Sequence, residues 1–190
     1  IAAPAGPFQA ETLSSGVDAL RAMGFEVVVP EGIFARLRYL AGADAERAAL
    51  LQELMLDDRV DAVMCARGGY GCLRILPLLD YAALSARPKP LIGFSDVTAL
   101  MAAIGQRCGV VTFHGPLVTT LASASDRTRH SFCDALMSAE AVTCHLAEGT
   151  TIQPGTAVGP ICGGNLTTLV HSLGTPWDHS WDGCLLLLED

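Results

Sequence analysis

Seven cysteines stand at 65, 72, 108, 133, 144, 162 and 184, yet no two of them form a CxxC pair. That scatter excludes a zinc knuckle and a thioredoxin-type motif. It leaves reduced thiols in a cytosolic protein as the plain reading. Clustered cations are missing too. Lys and Arg number 12 against 20 Asp and Glu, for a net charge of -8. Without a basic patch, neither nucleic acid nor an anionic membrane surface is an expected partner. No apolar run reaches the ~20 residues of a membrane-spanning helix; the longest, such as Cys184 to Leu188, are strand-sized. No block of like charge points to disorder. No basic segment followed by an apolar run opens the chain at Ile1, so no signal peptide is expected. His130, His145, His171 and His179 lack metal-ligand spacing. No metal or cofactor is expected.

What is present is a large apolar content, 51%, with only 17% charged residues, which predicts a substantial core. Strand and helix signals alternate. Ile1 to Ala3 reads as the end of a first strand, and Glu11 to Met23 as a helix stopped by Gly24. Phe25 to Val29 reads as a strand stopped by Pro30. Asp44 is placed to cap a helix to about Leu56, whose Leu51, Leu54 and Met55 share a face. Val60 to Cys65 reads as a strand, followed by the turn Arg67-Gly68-Gly69-Tyr70-Gly71 and a short helix to about Leu79. Leu91 to Phe94 is a buried strand, and Val97, Leu100, Met101 and Ile104 then form a helical stripe. Val110 to Phe113 is a strand and Asp126 to Met137 a helix. This alternation predicts a parallel sheet with helices on both faces. After about residue 147, glycine and proline punctuate a stretch without helical period. Gly163-Gly164-Asn165 reads as a turn opening a helix to about Leu173, and Cys184 to Leu188 as a strand. The expected division is an N-terminal α/β domain over 1–146 and, over 147–190, a linker with the start of a second domain. A chain that closes on an apolar strand is expected to continue into further structure.

Parallel sheets carry ligands at the carboxyl ends of their strands, and the polar punctuation falls there. Ser95 either caps the helix behind it or is the nucleophile of an elbow of the G-x-S-x-G kind. Gly93 fits the first glycine of that motif, while Val97 stands at the second. The glycine turn is not a dinucleotide fingerprint, since Arg74 stands three residues after Gly71, and it has no P-loop lysine. It is either a tight loop or a source of N–H donors for an oxyanion. Asn165 either caps its helix or holds a substrate group. Glu189 is an acid at a strand end, and His114 is a histidine at another.

Taken together, "ARGGYGCLRILPLLD", "KPLIGFSDVTAL", "VTFHGP", "GPICGGNLTTL" and "LLLLED" resemble the LD-carboxypeptidases in order and spacing. That family of serine peptidases includes murein tetrapeptide carboxypeptidase and the microcin C self-immunity proteins. The resemblance implies an α/β fold: an N-terminal flavodoxin-like parallel sheet with helices on both faces, plus the start of a smaller β-rich C-terminal domain. It implies Ser95 as nucleophile, Glu189 as the acid of the triad, and the backbone N–H groups of Asp96 and Gly69 as oxyanion hole. It implies that the triad histidine lies beyond Asp190 and that His114 is outside the triad. Arg67, Gly68 and Asn165 are the candidates to bind an anionic peptide end. Asp96 is expected to add a favourable charge at the start of its own helix. The implied activity is hydrolysis of an L,D-peptide bond, releasing terminal D-alanine from a murein tetrapeptide by a cytoplasmic homodimer. A peptidyl-nucleotide substrate of the self-immunity kind is one alternative. A non-catalytic binding module, in which Ser95 merely caps, is the other.

Overall fold

The computed structural model describes residues 1–143 and 149–190. Cys144, His145 and the expected boundary at 146/147 lie outside them.

Three short strands build the first sheet: β1 (Val63–Met64), β2 (Leu91–Gly93) and β3 (Thr112–His114), in that order and all parallel. Ile1 to Ala3 lies beside β1, with a parallel bridge between Ala2 and Cys65. Alternation of side chains sends neighbouring strand residues to opposite faces, and the core divides accordingly. Val63, Cys65 and Leu91 meet α2 (Asp44–Leu56), α3 (Cys72–Ile75), α4 (Tyr81–Ala86) and α5 (Thr98–Cys108) through Leu51, Ile75, Leu84 and Leu100. Met64, Ala66 and Ile92 meet α1 (Ala10–Ala22), α6 (Val118–Leu121) and α7 (Asp126–Met137) through Leu13, Val17, Leu121 and Phe132. Helices therefore cover both faces, as the alternation predicts. A second, two-stranded parallel sheet joins β4 (Ile161–Asn165) to β5 (Leu185–Glu189), with α8 (Leu166–Ser172) between them in sequence. Among the described residues no helix is long and apolar enough to cross a membrane.

Several local expectations change. Phe25 to Val29 forms no strand: the Ile1 nitrogen donates to the Val28 carbonyl at 2.9 Å, but no ladder is formed, and Val28 and Val29 are 49% and 38% exposed. β-branched residues favour a strand only where a neighbouring ladder and a buried face are on offer. Gly163-Gly164-Asn165 is not a turn but the end of β4. Both glycines sit at positive φ, and a Cβ on Gly163 would lie 1.9 Å from the Leu187 carbonyl oxygen, so glycine here permits close strand approach. Asp44 does not cap α2; Ala43 is the cap residue, and the Glu46 carboxylate accepts its N–H at 2.8 Å. The short helices α4 and α6 escape a periodicity reading because six and four residues span too few turns to show a stripe.

Candidate active site

The carboxyl end of β2 is a sharp reversal. Gly93 ends the strand, Phe94 is extended, and a 3-10 turn over Ser95–Val97 leads into α5. A Cβ on Gly93 would lie 2.9 Å from Val97 Cγ1, so the chain folds back over the strand too tightly for any side chain there. Val97 has ordinary helical angles and is fully buried, which explains why no second glycine is required. Ser95 has φ +62°, in the left-handed region that a non-glycine residue occupies at a cost of ~1–2 kcal/mol. Neither the 3-10 turn nor α5 has a side-chain cap. The Ser95 hydroxyl is half-buried and lies against Gly68, where an added Cβ would meet Ser95 Cβ at 3.0 Å and Oγ at 3.1 Å. Strain of this kind gathers where a reactive group must be presented. The N–H groups of a helix's first turn have no intrahelical acceptor, which leaves donors at the head of α5.

The glycine turn after β1 is the second wall. Gly69 and Gly71 have φ +117° and +119°, conformations that glycine alone adopts without strain. The Gly68 carbonyl accepts from the Gly6 N–H at 3.1 Å. Arg67 is exposed, and its Nη1 donates to the Pro7 carbonyl at 2.5 Å. The Asp96 side chain stands in the first turn of the 3-10 segment that leads into α5, and its carboxylate also accepts from the backbone N–H of Cys72 at 2.9 Å, so its charge serves the first turn of α3 as well. Burial raises the Asp96 carboxyl above its usual range, against the lowering effect of the Cys72 bonds and the Arg47 charge. Burial likewise pushes the Cys72 thiol well up.

The third wall comes from the second sheet. The backbone N–H of Asn165 donates to Thr98 Oγ1 at 3.0 Å, one helical turn beyond Ser95. A Cβ on Gly164 would lie 2.7 Å from Thr98 Oγ1. Asn165 caps α8, its Oδ1 accepting from the Thr168 N–H at 3.1 Å. Its Nδ2 donates to Glu189 Oε2 at 3.4 Å and to Asp190 Oδ1 at 3.2 Å, contacts that follow from the Asn165–Glu189 register. His114 pairs in register with Gly93, and its ring centroid is 6.2 Å from that of Phe94. Burial lowers its pKa, while the Glu189 charge pulls it up. Beside Phe94 and His114 a cavity of about 680 Å³ opens against Arg127 and Ser131 of α7.

The candidates thus form three contacts: Ser95 with Gly68, Asp96 with the turn, and Asn165 with Glu189. Two residues that the sequence did not single out are built into the site, Arg47 and Thr98. Arg47 is 2% exposed, and its Nη1 donates to the Gly71 carbonyl at 3.0 Å. Its signal is its place on the apolar stripe of α2, four residues before Leu51.

Residues 1–115 match the LD-carboxypeptidase N-terminal domain and residues 158–190 the LD-carboxypeptidase C-terminal domain. The chain belongs to the LD-carboxypeptidase family. Over its whole length it is 42% identical to a Streptomyces coelicolor protein, of which it covers 63%. It is 33% identical to the murein tetrapeptide carboxypeptidase of Pseudomonas aeruginosa, with 99% of the chain and 64% of that protein covered. The crystal structure of an MccF-like protein from Bacillus anthracis superposes with a TM-score of 0.90 at 26% identity, covering 100% of this chain and 65% of the other. MccF is the microcin C7 self-immunity protein of Escherichia coli. The chain spans less than two thirds of the curated relatives it matches. The mixed α/β fold with parallel strands agrees with that membership.

Proposed function

We propose that this LD-carboxypeptidase is a serine peptidase that cleaves an L,D-peptide bond and releases terminal D-alanine from a murein tetrapeptide. The observation that carries the proposal is Ser95: held at φ +62°, making no cap bond, and packed so closely on the glycine turn that a Cβ on Gly68 would lie 3.0 Å from its own Cβ. In this reading Ser95 Oγ attacks the carbonyl carbon and its proton passes to a base. The negative oxygen of the tetrahedral intermediate is received by the N–H groups of Asp96 and Gly69. D-alanine leaves with a proton returned from the base, and water then hydrolyses the acyl-enzyme. Glu189 orients and stabilises the base, a histidine expected from residues that follow position 190. Gly68 shapes the floor, and Arg67 and Asn165 supply donors for an anionic peptide end. A nucleophile domain over 1–146 followed by a second domain, and a cytoplasmic homodimer, complete the reading that the family resemblance supports.

The test is release of D-alanine by the full-length protein and its Ser95→Ala variant. Turnover falls by several orders of magnitude if Ser95 is the nucleophile; wild-type turnover in the variant would end the proposal. The likeness to an MccF-like structure favours a second substrate class, a peptidyl-nucleotide, and side-by-side kcat/KM values on both substrates decide between them. A binding module in which Ser95 caps its helix is disfavoured by the missing cap bond, and labelling of Ser95 by a fluorophosphonate would exclude it.

A further inference from the structure

We propose that Arg47 and the Asp96 carboxylate are positioning residues that hold the oxyanion turn by gripping a single peptide group, Gly71–Cys72, at both ends. The inference rests on the reading of Ser95 as nucleophile. The carbonyl of that peptide, on Gly71, accepts from Arg47 Nη1 at 3.0 Å, and its N–H, on Cys72, donates to Asp96 Oδ2 at 2.9 Å. Turning the peptide plane over would break both bonds and set a carbonyl against a carboxylate. The grip is needed because Gly68, Gly69 and Gly71 leave the turn with few conformational restraints of its own, whereas an oxyanion hole acts only when its donors are fixed before the reaction.

The surroundings of Arg47 strengthen the assignment. Its Nη1 also donates to the Pro4 carbonyl, its Nε to the Gly42 carbonyl at 3.3 Å, and its Nη2 to Asp44. One guanidinium therefore joins the glycine turn to two other loops. Its planar fork suits several acceptors at once, which an ammonium cannot match. A Cβ on Gly71 would come within 2.9 Å of Arg47 Nη1, so the glycine lets the guanidinium close on the turn. Asp96 completes the link to chemistry: its backbone belongs to the nucleophile turn, and its side chain reaches the oxyanion turn. The two walls of the site are therefore set by one residue. A leucine at position 47 would suit the apolar stripe of α2 and spare the cost of burying a charge; the arginine is explained by what it holds.

The experiment uses the full-length protein and the variants Arg47→Met, Asp96→Ala and Asp96→Asn. Read-outs are kcat and KM for D-alanine release, inhibition by a phosphinate analogue of the tetrahedral intermediate, and circular dichroism. Loss of a fixed donor acts on the transition state. Arg47→Met and Asp96→Ala are expected to lower kcat by about 10- to 100-fold with KM within about twofold. Phosphinate affinity falls in the same proportion. Asp96→Asn keeps an acceptor oxygen for the Cys72 N–H and recovers kcat to within about fivefold of wild type. The clamp is overturned if folded Arg47→Met and Asp96→Ala keep kcat within threefold. It is also overturned if Asp96→Asn is as damaged as Asp96→Ala, or if only KM moves. Should Arg47→Met fail to fold, the Asp96 pair decides alone. Fluorophosphonate labelling of the wild type separates the two levels: a wild type unlabelled at Ser95 overturns the nucleophile and the clamp with it, whereas a labelled wild type with unimpaired variants overturns the clamp alone.

Discussion

Adding one methyl group at Gly68 is expected to separate activity from stability. Gly68 does not occupy the left-handed region, so alanine can take its backbone angles, and reduced freedom of the unfolded chain favours the variant by ~0.4–1 kcal/mol. The new Cβ, however, would lie 3.0 Å from Ser95 Cβ and 3.1 Å from Oγ, against an ordinary carbon contact of ~3.5–4.0 Å. About half an ångström must be found. The Gly68 carbonyl is tied to Gly6, and Ser95 is fixed between a buried strand and a helix, so both sides yield a little. Overpacking costs ~1–3 kcal/mol, which leaves Gly68→Ala less stable by about 0–2.6 kcal/mol and its melting point lower by at most about 10 °C. Activity falls further than stability. Misplacement of a reacting atom by ~1 Å costs ~100-fold, so half of that, with the methyl group also narrowing the oxyanion site, gives a loss of about 10- to 100-fold in kcat. The assays are D-alanine release, the rate of fluorophosphonate labelling, and thermal unfolding, all on the full-length protein. A folded Gly68→Ala variant with wild-type kcat and labelling rate would refute the reasoning, because Ser95 Oγ could not then be the reacting atom in the arrangement described.

Other substitutions probe other links. Gly16→Ala would bring a Cβ to 1.9 Å from the Val118 carbonyl oxygen where α1 crosses α6; the helices must part, and a loss of about 3 kcal/mol is expected in urea unfolding. Asp96→Asn should be no less stable than wild type at pH 7. Burial raises the folded Asp96 pKa above the unfolded value of about 3.9, so its contribution is full below about pH 3.9 and is lost as pH rises through the folded value. The variant's advantage in melting point should therefore vanish near pH 3.5; an advantage unchanged at acid pH would contradict the sign. Glu189→Gln removes the charge that pulls the His114 pKa upward, so the His114 titration followed by NMR should move to lower pH, and an unmoved titration would mean that the two strand ends are not neighbours.

Long-range architecture was legible where periodicity and punctuation agree. α1, α2 and α5 lie close to their expected spans because apolar residues recur along each, and α7 because it starts directly after the polar cap Ser125. β1, β2, β3 and β5 coincide with apolar runs, although each is offset by a residue or shorter than its run, since a ladder extends only as far as a neighbour accompanies it. The failures share a cause. Phe25 to Val29 has strand composition without a continuous partner, and Gly163-Gly164-Asn165 has turn composition but a partner, β5, that enforces extension. Pairing overrode local preference in both directions. In the candidate site, Ser95 and Glu189 could be singled out because strand ends are addresses readable from sequence, and Asn165 because an asparagine before a helix is a cap or a binding group. Arg47 was not, since its place on the apolar stripe of α2 marks burial alone, and the acceptors it holds are known only from the fold. The second role of the Asp96 side chain was hidden for a related reason: an acid at a helix start suggests service to that helix, and only the fold reveals that another helix begins within its reach.

The two parallel sheets explain how the proposed nucleophile and the proposed acid, Ser95 and Glu189, are tied together although 94 positions apart in number. Each residue stands at a carboxyl strand end, but separate sheets have no hydrogen-bond ladder to set their mutual position. That task falls to α5. Its first turn continues directly from Ser95, and Thr98 in that turn accepts the Asn165 N–H. Gly164 makes the approach possible, since any side chain there would collide with Thr98. Asn165 then fixes Glu189 through the register of β4 and β5. The chain of constraint from Ser95 to Glu189 thus runs through Thr98 and Asn165, with a backbone segment or a hydrogen bond at every step. The one from Ser95 to the glycine turn runs through Asp96 to Cys72. A short stretch of residues at the head of α5 sets both distances, so the strain held at Ser95 is balanced by bonds made within the same turn.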